Sequence, residues 1–240
     1  MNAKTKKVLL IGAHGTLGRA VHEALRERGH HVVTASRTGA DVHVDITDPE
    51  SIRAMYDQVA QRVGDIDAVA SAAGSVPWRP LGELTTDDIR DGLEGKAVSQ
   101  IELVRQGARH LPAHASYTLV TGILAREPLL TGSVASLVNG AVEAFVRAAA
   151  VELPGRQRIN AVSPTVFEES LDAYGDTFAG FDAVPVARAA NAYVKSIEGH
   201  RTGQDLPRRI TVLDPLAPSN IGVRVPRTTG TRGLARSRVG

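Results

Sequence analysis

Residues 8–19, reading Val-Leu-Leu-Ile-Gly-Ala-His-Gly-Thr-Leu-Gly-Arg, constrain the fold of this chain more than any other stretch. The apolar run at residues 8–11 reads as a buried strand. It runs into Gly12, Gly15 and Gly18, and then into Leu17, Ala20, Val21, Ala24 and Leu25, spaced as one face of a helix. Strand, glycine turn and helix together offer backbone N–H groups and a positive helix end to a pyrophosphate. The spacing is G-x-x-G-x-x-G, in which the glycines serve the tight turn, the approach of a ligand and the close packing of helix on strand.

The pattern continues. Strands are expected at residues 31–36, 42–44, 66–72, 115–122, 158–163 and 210–213, with helices at about 49–63, 87–109, 133–153 and 186–197 between them. Asp48 followed by Pro49 marks a helix start. The apolar face of the 133–153 helix is read as Leu137, Ala141, Ala144, Phe145 and Ala148. Gly92 and Gly95 weaken the 87–109 helix by about 1 kcal/mol each relative to alanine. Regular alternation of this kind predicts an α/β fold of Rossmann type, a doubly wound parallel sheet in a three-layer αβα sandwich. Its ligands then lie at the carboxyl ends of the strands. One domain is expected over residues 1–213, with residues 214–240 as a basic, flexible tail.

Charge supports that division. Residues 207–240 hold seven Arg and one Asp, whereas the whole chain carries only +2. Such a Pro/Gly/Thr/Arg stretch reads as a disordered end, and nothing resembles a nucleic-acid-binding module. With no cysteine there is no disulfide framework and no thiolate chemistry, and no metal site is expected. No run of eighteen apolar residues stands in the sequence, and the Lys-rich start has no apolar core. A cytoplasmic protein without a membrane partner is the expectation.

Cofactor chemistry can be read at the end of the second strand. A carboxylate there would favour the ribose hydroxyls of NAD. The chain instead has Ser36-Arg37, a small hydroxyl beside a guanidinium, which suits the 2′-phosphate of NADP. Ser71-Ala72-Ala73-Gly74 stands at another carboxyl end. Trp78, in a proline-punctuated loop at residues 75–83, is a candidate either for substrate contact or for a plug against the core. Residues 168–181 are irregular and glycine-punctuated and read as a mobile segment beside the site.

Over about residues 6–213 the chain resembles the short-chain dehydrogenase/reductase superfamily. The resemblance rests on Gly12-Ala-His-Gly-Thr-Leu-Gly18, Asp45-Ile46, Ser71-Ala-Ala-Gly74, Asn139-Gly-Ala-Val-Glu143, Ile159-Asn-Ala-Val-Ser-Pro164 and Thr202-Gly-Gln204, in that order. It implies a cofactor site formed by Gly12, His14, Gly15, Thr16, Leu17, Gly18, Ser36, Arg37, Asp45, Ile46, Ala72, Ala73, Gly74, Pro164, Val166 and Glu169. His14 is placed near the phosphates, Asp45-Ile46 at the adenine, and Glu169 where a Thr usually meets the nicotinamide amide. It also implies a homodimer or homotetramer packed through the helices at about 87–109 and 133–152.

The catalytic residues depart from the family pattern. Its Ser, Tyr and Lys fall at Gly122, Ala135 and Asn139, and alanine cannot move a proton. Lys96 aligns with a fourth family position, an Asn. It is read as a cation restored to the vacated site, a hold on the cofactor ribose or a desolvated acid, or else as a solvated helix residue. Thr121, Ser133 and Ser136 could bring hydroxyls to a substrate oxygen. Glu168 and Glu169 are read as candidate acids or as a solvated pair. The catalytic candidates are therefore Lys96, Thr121, Asn139 and Ser133. The expected activity is NADP(H)-dependent hydride transfer to or from a small carbonyl, enone or alcohol. Two alternatives stay open: a non-catalytic NADP(H)-binding module, and a lyase, isomerase or cyclase on the same fold.

Overall fold

The computed structural model describes residues 5–206, with side chains to residue 204. Its core is a parallel sheet whose strands alternate their side chains between two helical layers. In β1 (Lys7–Ile11), Leu9 and Ile11 face one layer while Val8 and Leu10 face the other. The first layer holds α2 (Pro49–Val63), α4 (Ser99–His110) and α5 (Ser133–Glu152), and the second holds α1 (Thr16–Glu27) and α7 (Val186–Glu198). A strand covered on both faces must be apolar throughout, which is why these runs are continuous rather than alternating.

The remaining strands are β2 (His31–Ser36), β3 (Val42–His43), β4 (Ala68–Ser71), β5 (Ser116–Val120), β6 (Arg158–Val162) and β7 (Gln204–Leu206). Their order across the sheet is β3-β2-β1-β4-β5-β6-β7, and every pairing is parallel. The chain winds outward from β1 to β3, then crosses back to β4 on the other side. That reversal opens a crevice between β1 and β4 at their carboxyl ends. The expected architecture is present, and the described residues lie within one compact unit.

Several local expectations need correction. The closing strand at 210–213 lies outside the described residues; the seventh strand seen is Gln204–Leu206, hydrogen-bonded to β6. The tail at 214–240 also lies outside them. The 87–109 helix is α3 (Thr86–Gly92), a π-turn at Leu93–Val98 and then α4. Gly92 and Gly95 are there for proximity: a Cβ at Gly92 would stand 2.2 Å from Val134 Cγ1, and one at Gly95 would stand 2.8 Å from the Ser75 carbonyl oxygen.

The buried face of α5 is Val134, Val138, Val142 and Val146; of the face read from the sequence, Ala141 and Phe145 pack partly buried against the core. Leu137 is 49% exposed, and Ala144 and Ala148 are exposed. An all-round apolar helix gives its period no single direction, so the sequence could not fix its rotation. At 20 residues and a mean hydropathy of 1.4, α5 is long and apolar enough to cross a bilayer; here it packs against the sheet. The segment at 168–181 forms short helical turns, Glu168–Ser170, α6 (Leu171–Tyr174) and Gly175–Phe178.

Candidate functional site

Two cavities meet at the carboxyl edge of the sheet, with Gly74 and Lys96 between them. The first, of about 270 Å³, is lined by Gly12, Ser36, Arg37, Asp45, Ile46, Ala73 and Gly74, all expected from the sequence. Ile11, Val44, Thr47, Ser75 and Gly95 complete it and were not anticipated as site residues. Its floor is the glycine turn. Gly12 has φ of +81°, and a Cβ there would stand 2.9 Å from that of Ala73 and 3.0 Å from the Ala72 carbonyl. A Cβ on Gly18 would stand 2.0 Å from the Gly12 carbonyl oxygen, so α1 can start only where glycine lets it close on the loop.

Gly15 caps α1 without any side-chain hydrogen bond, and the space at its α-carbon is open to 3.8 Å. The first-turn N–H groups of α1 therefore keep no side-chain acceptor at the cap, which is the condition for an anion to bind there. Thr16 and Leu17 contribute backbone at this turn. The Leu17 side chain is buried in the core. His14 stands beside Ser36, with Nδ1 3.4 Å from its hydroxyl, and lines a separate groove with Arg19, His22 and Arg26. Asp45 is committed locally. Its carboxylate accepts from the Thr47 hydroxyl (2.7 Å) and N–H (2.9 Å), which hold it below the usual carboxylate range.

The second cavity, of about 180 Å³, brings the catalytic candidates Lys96, Thr121 and Asn139 together with Pro164 and Val166, which the resemblance gave to the cofactor, and with Gly122 and Ala135. Two buried contacts hold the strand ends behind it. The Gln100 side-chain amide pairs with both the N–H and the carbonyl of Val120 (2.8 Å each), and the Tyr193 hydroxyl donates to the Ser71 carbonyl (2.6 Å). These pin the ends of β5 and β4, and Thr121 and Gly122 of the lining follow directly on β5.

Lys96 sits in the π-turn, a helical distortion common at functional sites. It is not a solvated helix residue. Its stem crosses Gly74, and among the described residues its polar partner is the Thr121 carbonyl at 3.5 Å. Burial lowers its pKa to about 8. Asn139 is 3% exposed and its Oδ1 is buried without a hydrogen-bond partner. A Cβ at Gly122 would stand 3.1 Å from Asn139 Nδ2, so the missing side chain at 122 is what gives the amide its room.

Three sequence candidates do other work. The Thr121 hydroxyl donates to Glu143 (3.2 Å), inside a cluster where Arg126 reaches both Glu143 oxygens (2.9 and 2.8 Å) and the Ser163 hydroxyl (2.5 Å). Ser133 is exposed at the start of α5 and lines neither cavity. The Glu169 carboxylate accepts the Val186 N–H (3.0 and 3.1 Å), holding the amino end of α7 rather than facing the cavities. The sequence reading also missed an aromatic wall, Phe167, Tyr174 and Phe178. The signal was available: three of the four phenylalanines fall within residues 167–181.

Comparison with known proteins agrees with this fold. A family model described as enoyl-(acyl carrier protein) reductase matches residues 12–197. L-xylulose reductase of Mesocricetus auratus is 30% identical over 183 residues, covering 69% of this chain and 73% of that protein. A versicolorin reductase of Emericella nidulans is 27% identical over 191 residues, covering 69% and 70%. Among solved structures, the protein lin1944 from Listeria innocua is 46% identical, with a TM-score of 0.80 over 84% of this chain and 98% of that one. A small-chain dehydrogenase in complex with NADPH is 24% identical, with a TM-score of 0.72 over 84% and 95%, a likeness of fold.

Proposed function

The chain belongs to the short-chain dehydrogenase/reductase superfamily, and from that premise we propose that it is an NADP(H)-dependent oxidoreductase acting on a carbonyl, enone or alcohol through a rearranged proton donor. The observation that carries this reading is the position of Lys96: a half-buried cation beside Gly122, Ala135 and Asn139, in the cavity next to the glycine turn. The resemblance assigns the family's Ser, Tyr and Lys to those three positions.

The residues fit the cofactor. The uncapped amino end of α1 suits the pyrophosphate, the Asp45-Ile46 wall the adenine, and Ser36 with Arg37 the 2′-phosphate. When bound, NADPH supplies the hydride that adds to the carbonyl carbon, leaving NADP+ and an alkoxide that must gain a proton. The Lys96 ammonium donates that proton to the oxygen and is left as a neutral amine, to be reprotonated from solvent. A cation desolvated by burial gives up its proton more readily than an exposed lysine, so the surroundings of Lys96 favour the step. The Asn139 amide Nδ2–H, which lies beside Gly122, donates to the same oxygen. Hydride transfer depends chiefly on cofactor positioning, so loss of the tyrosine is compatible with turnover.

We also infer a homodimer or homotetramer, supported by apolar side chains left partly uncovered along the outer helices, including Val98 (45%) and Leu137 (49%).

Calorimetry with NADPH and NADH, followed by nicotinamide absorbance over a carbonyl panel, tests the reading. Saturable binding, tighter for NADPH, and turnover reduced about 100-fold in Lys96→Met are expected. Binding without turnover of any substrate would leave a cofactor-binding module. Substrate conversion at constant absorbance would leave a non-redox enzyme. No binding of either nucleotide would remove the proposal.

A further inference from the structure

We propose that the second cavity takes an uncharged ketone or enone carried on one or two rings, in preference to a polyhydroxylated sugar or a keto acid. This names the substrate class of the oxidoreductase site and rests on that reading for the chemistry, though not for the binding.

The walls are more apolar than polar. Val76, Trp78, Ile123, Val166, Tyr174 and Phe178 face the space around Lys96 and Asn139. Two of the aromatics are braced in advance: Tyr174 meets Phe178 edge to face with ring centres 5.1 Å apart, and Phe178 meets Phe181 in the same way at 5.4 Å. Rings held like this present edges and faces to a planar guest with little entropy left to lose. The volume, about 180 Å³, is close to that of the roughly 150 Å³ apolar cavity known to accept benzene.

Polar side chains are the minority of the lining, six of its sixteen residues. Beyond Lys96 and Asn139 they are the hydroxyl carriers Thr121, Thr165, Ser170 and Tyr174, and the Thr121 hydroxyl is already given to Glu143. A sugar brings more hydroxyls than the remaining three can pair, and each buried group left unpaired costs about 1–3 kcal/mol. A keto acid meets a different obstacle. Among the described residues Lys96 is the one charged side chain in the lining, so a carboxylate that claimed it would take the proton donor from the carbonyl oxygen. A ring ketone needs one polar contact, at the oxygen, and the cavity provides it.

Trp78 is the only tryptophan, so its emission reports occupancy of this cavity directly. The experiment titrates β-tetralone, a five-carbon ketose and pyruvate into the protein, with and without saturating NADPH, following emission and heat. β-Tetralone is expected to saturate an emission change in both arms, with half-saturation at least about 10-fold below either competitor. Phe178→Ala should weaken it about 10-fold, while NADPH affinity is retained. In Trp78→Phe the optical signal should vanish while heat remains. Equal or tighter binding of the ketose or pyruvate, or no β-tetralone binding in either arm, overturns the inference. Absent NADPH binding with β-tetralone still bound would instead overturn the oxidoreductase reading alone.

Discussion

The stem of Lys96 lies across Gly74, so close that a Cβ at Gly74 would stand 2.9 Å from Lys96 Cγ and 3.4 Å from its Cβ and Cδ. The contact joins the end of β4 to the π-turn before α4, and it separates the two cavities. Gly74 lines one and Lys96 the other. Gly74 also has φ of +151°, a conformation that side chains resist.

Gly74→Ala should therefore act on Lys96 as much as on the backbone. Strain of about 1–3 kcal/mol is expected, read as a lowered Tm. Turnover should fall further than that loss explains, because the cation is pushed off its position. If the variant melts earlier but keeps its kcat, Gly74 does not position Lys96.

The pH dependence follows from burial of Lys96, which brings its pKa from 10.5 to about 8. An acid role needs the ammonium, so the rate should fall as pH rises through about 8, and Lys96→Met should lose that limb of the profile. Stability runs the opposite way. Below about 8 the folded chain must bury a charge; between about 8 and 10.5 the unfolded chain holds the extra proton, so stability rises with pH. Melting curves across that range should show the rise, and Lys96→Met should flatten it. A flat curve in the parent protein would mean that Lys96 titrates as an exposed lysine.

Arg37 faces the first cavity beside Ser36, with no acid at that strand end. Charge-assisted hydrogen bonds to a phosphate contribute about 1.5–3 kcal/mol, so Arg37→Ala should weaken NADPH by roughly 10- to 100-fold. NADH, lacking the 2′-phosphate, should be nearly unaffected. Equal losses for both nucleotides would show that Arg37 does not read the phosphate.

Glu169 separates two roles cleanly. As the acceptor for the Val186 N–H it supports the start of α7, so Glu169→Ala should cost about 1 kcal/mol in thermal stability. NADPH affinity should not change. A marked loss of affinity without a drop in Tm would return Glu169 to the cofactor site suggested by the resemblance.

The sequence alone determined the features that local spacing encodes. Strand and helix periods, the glycine turn, the capping Asp48 and the Ser36-Arg37 strand end are each written within a few adjacent residues, and Gly12, Ser36 and Arg37 of the first cavity follow from them. Only the tertiary structure decided where side chains spend their polar groups. Thr121 gives its hydroxyl to a residue 22 positions away, Glu169 reaches 17 positions to α7, and Lys96 is buried by elements from β4 to α5. The rotation of α5 was hidden for a related reason: apolar on most sides, it could bury either face, and packing on the sheet chose the valines. Backbone patterns are local and repeat. Desolvation and hydrogen-bond partnership belong to pairs of residues that meet only when the helices close on the sheet.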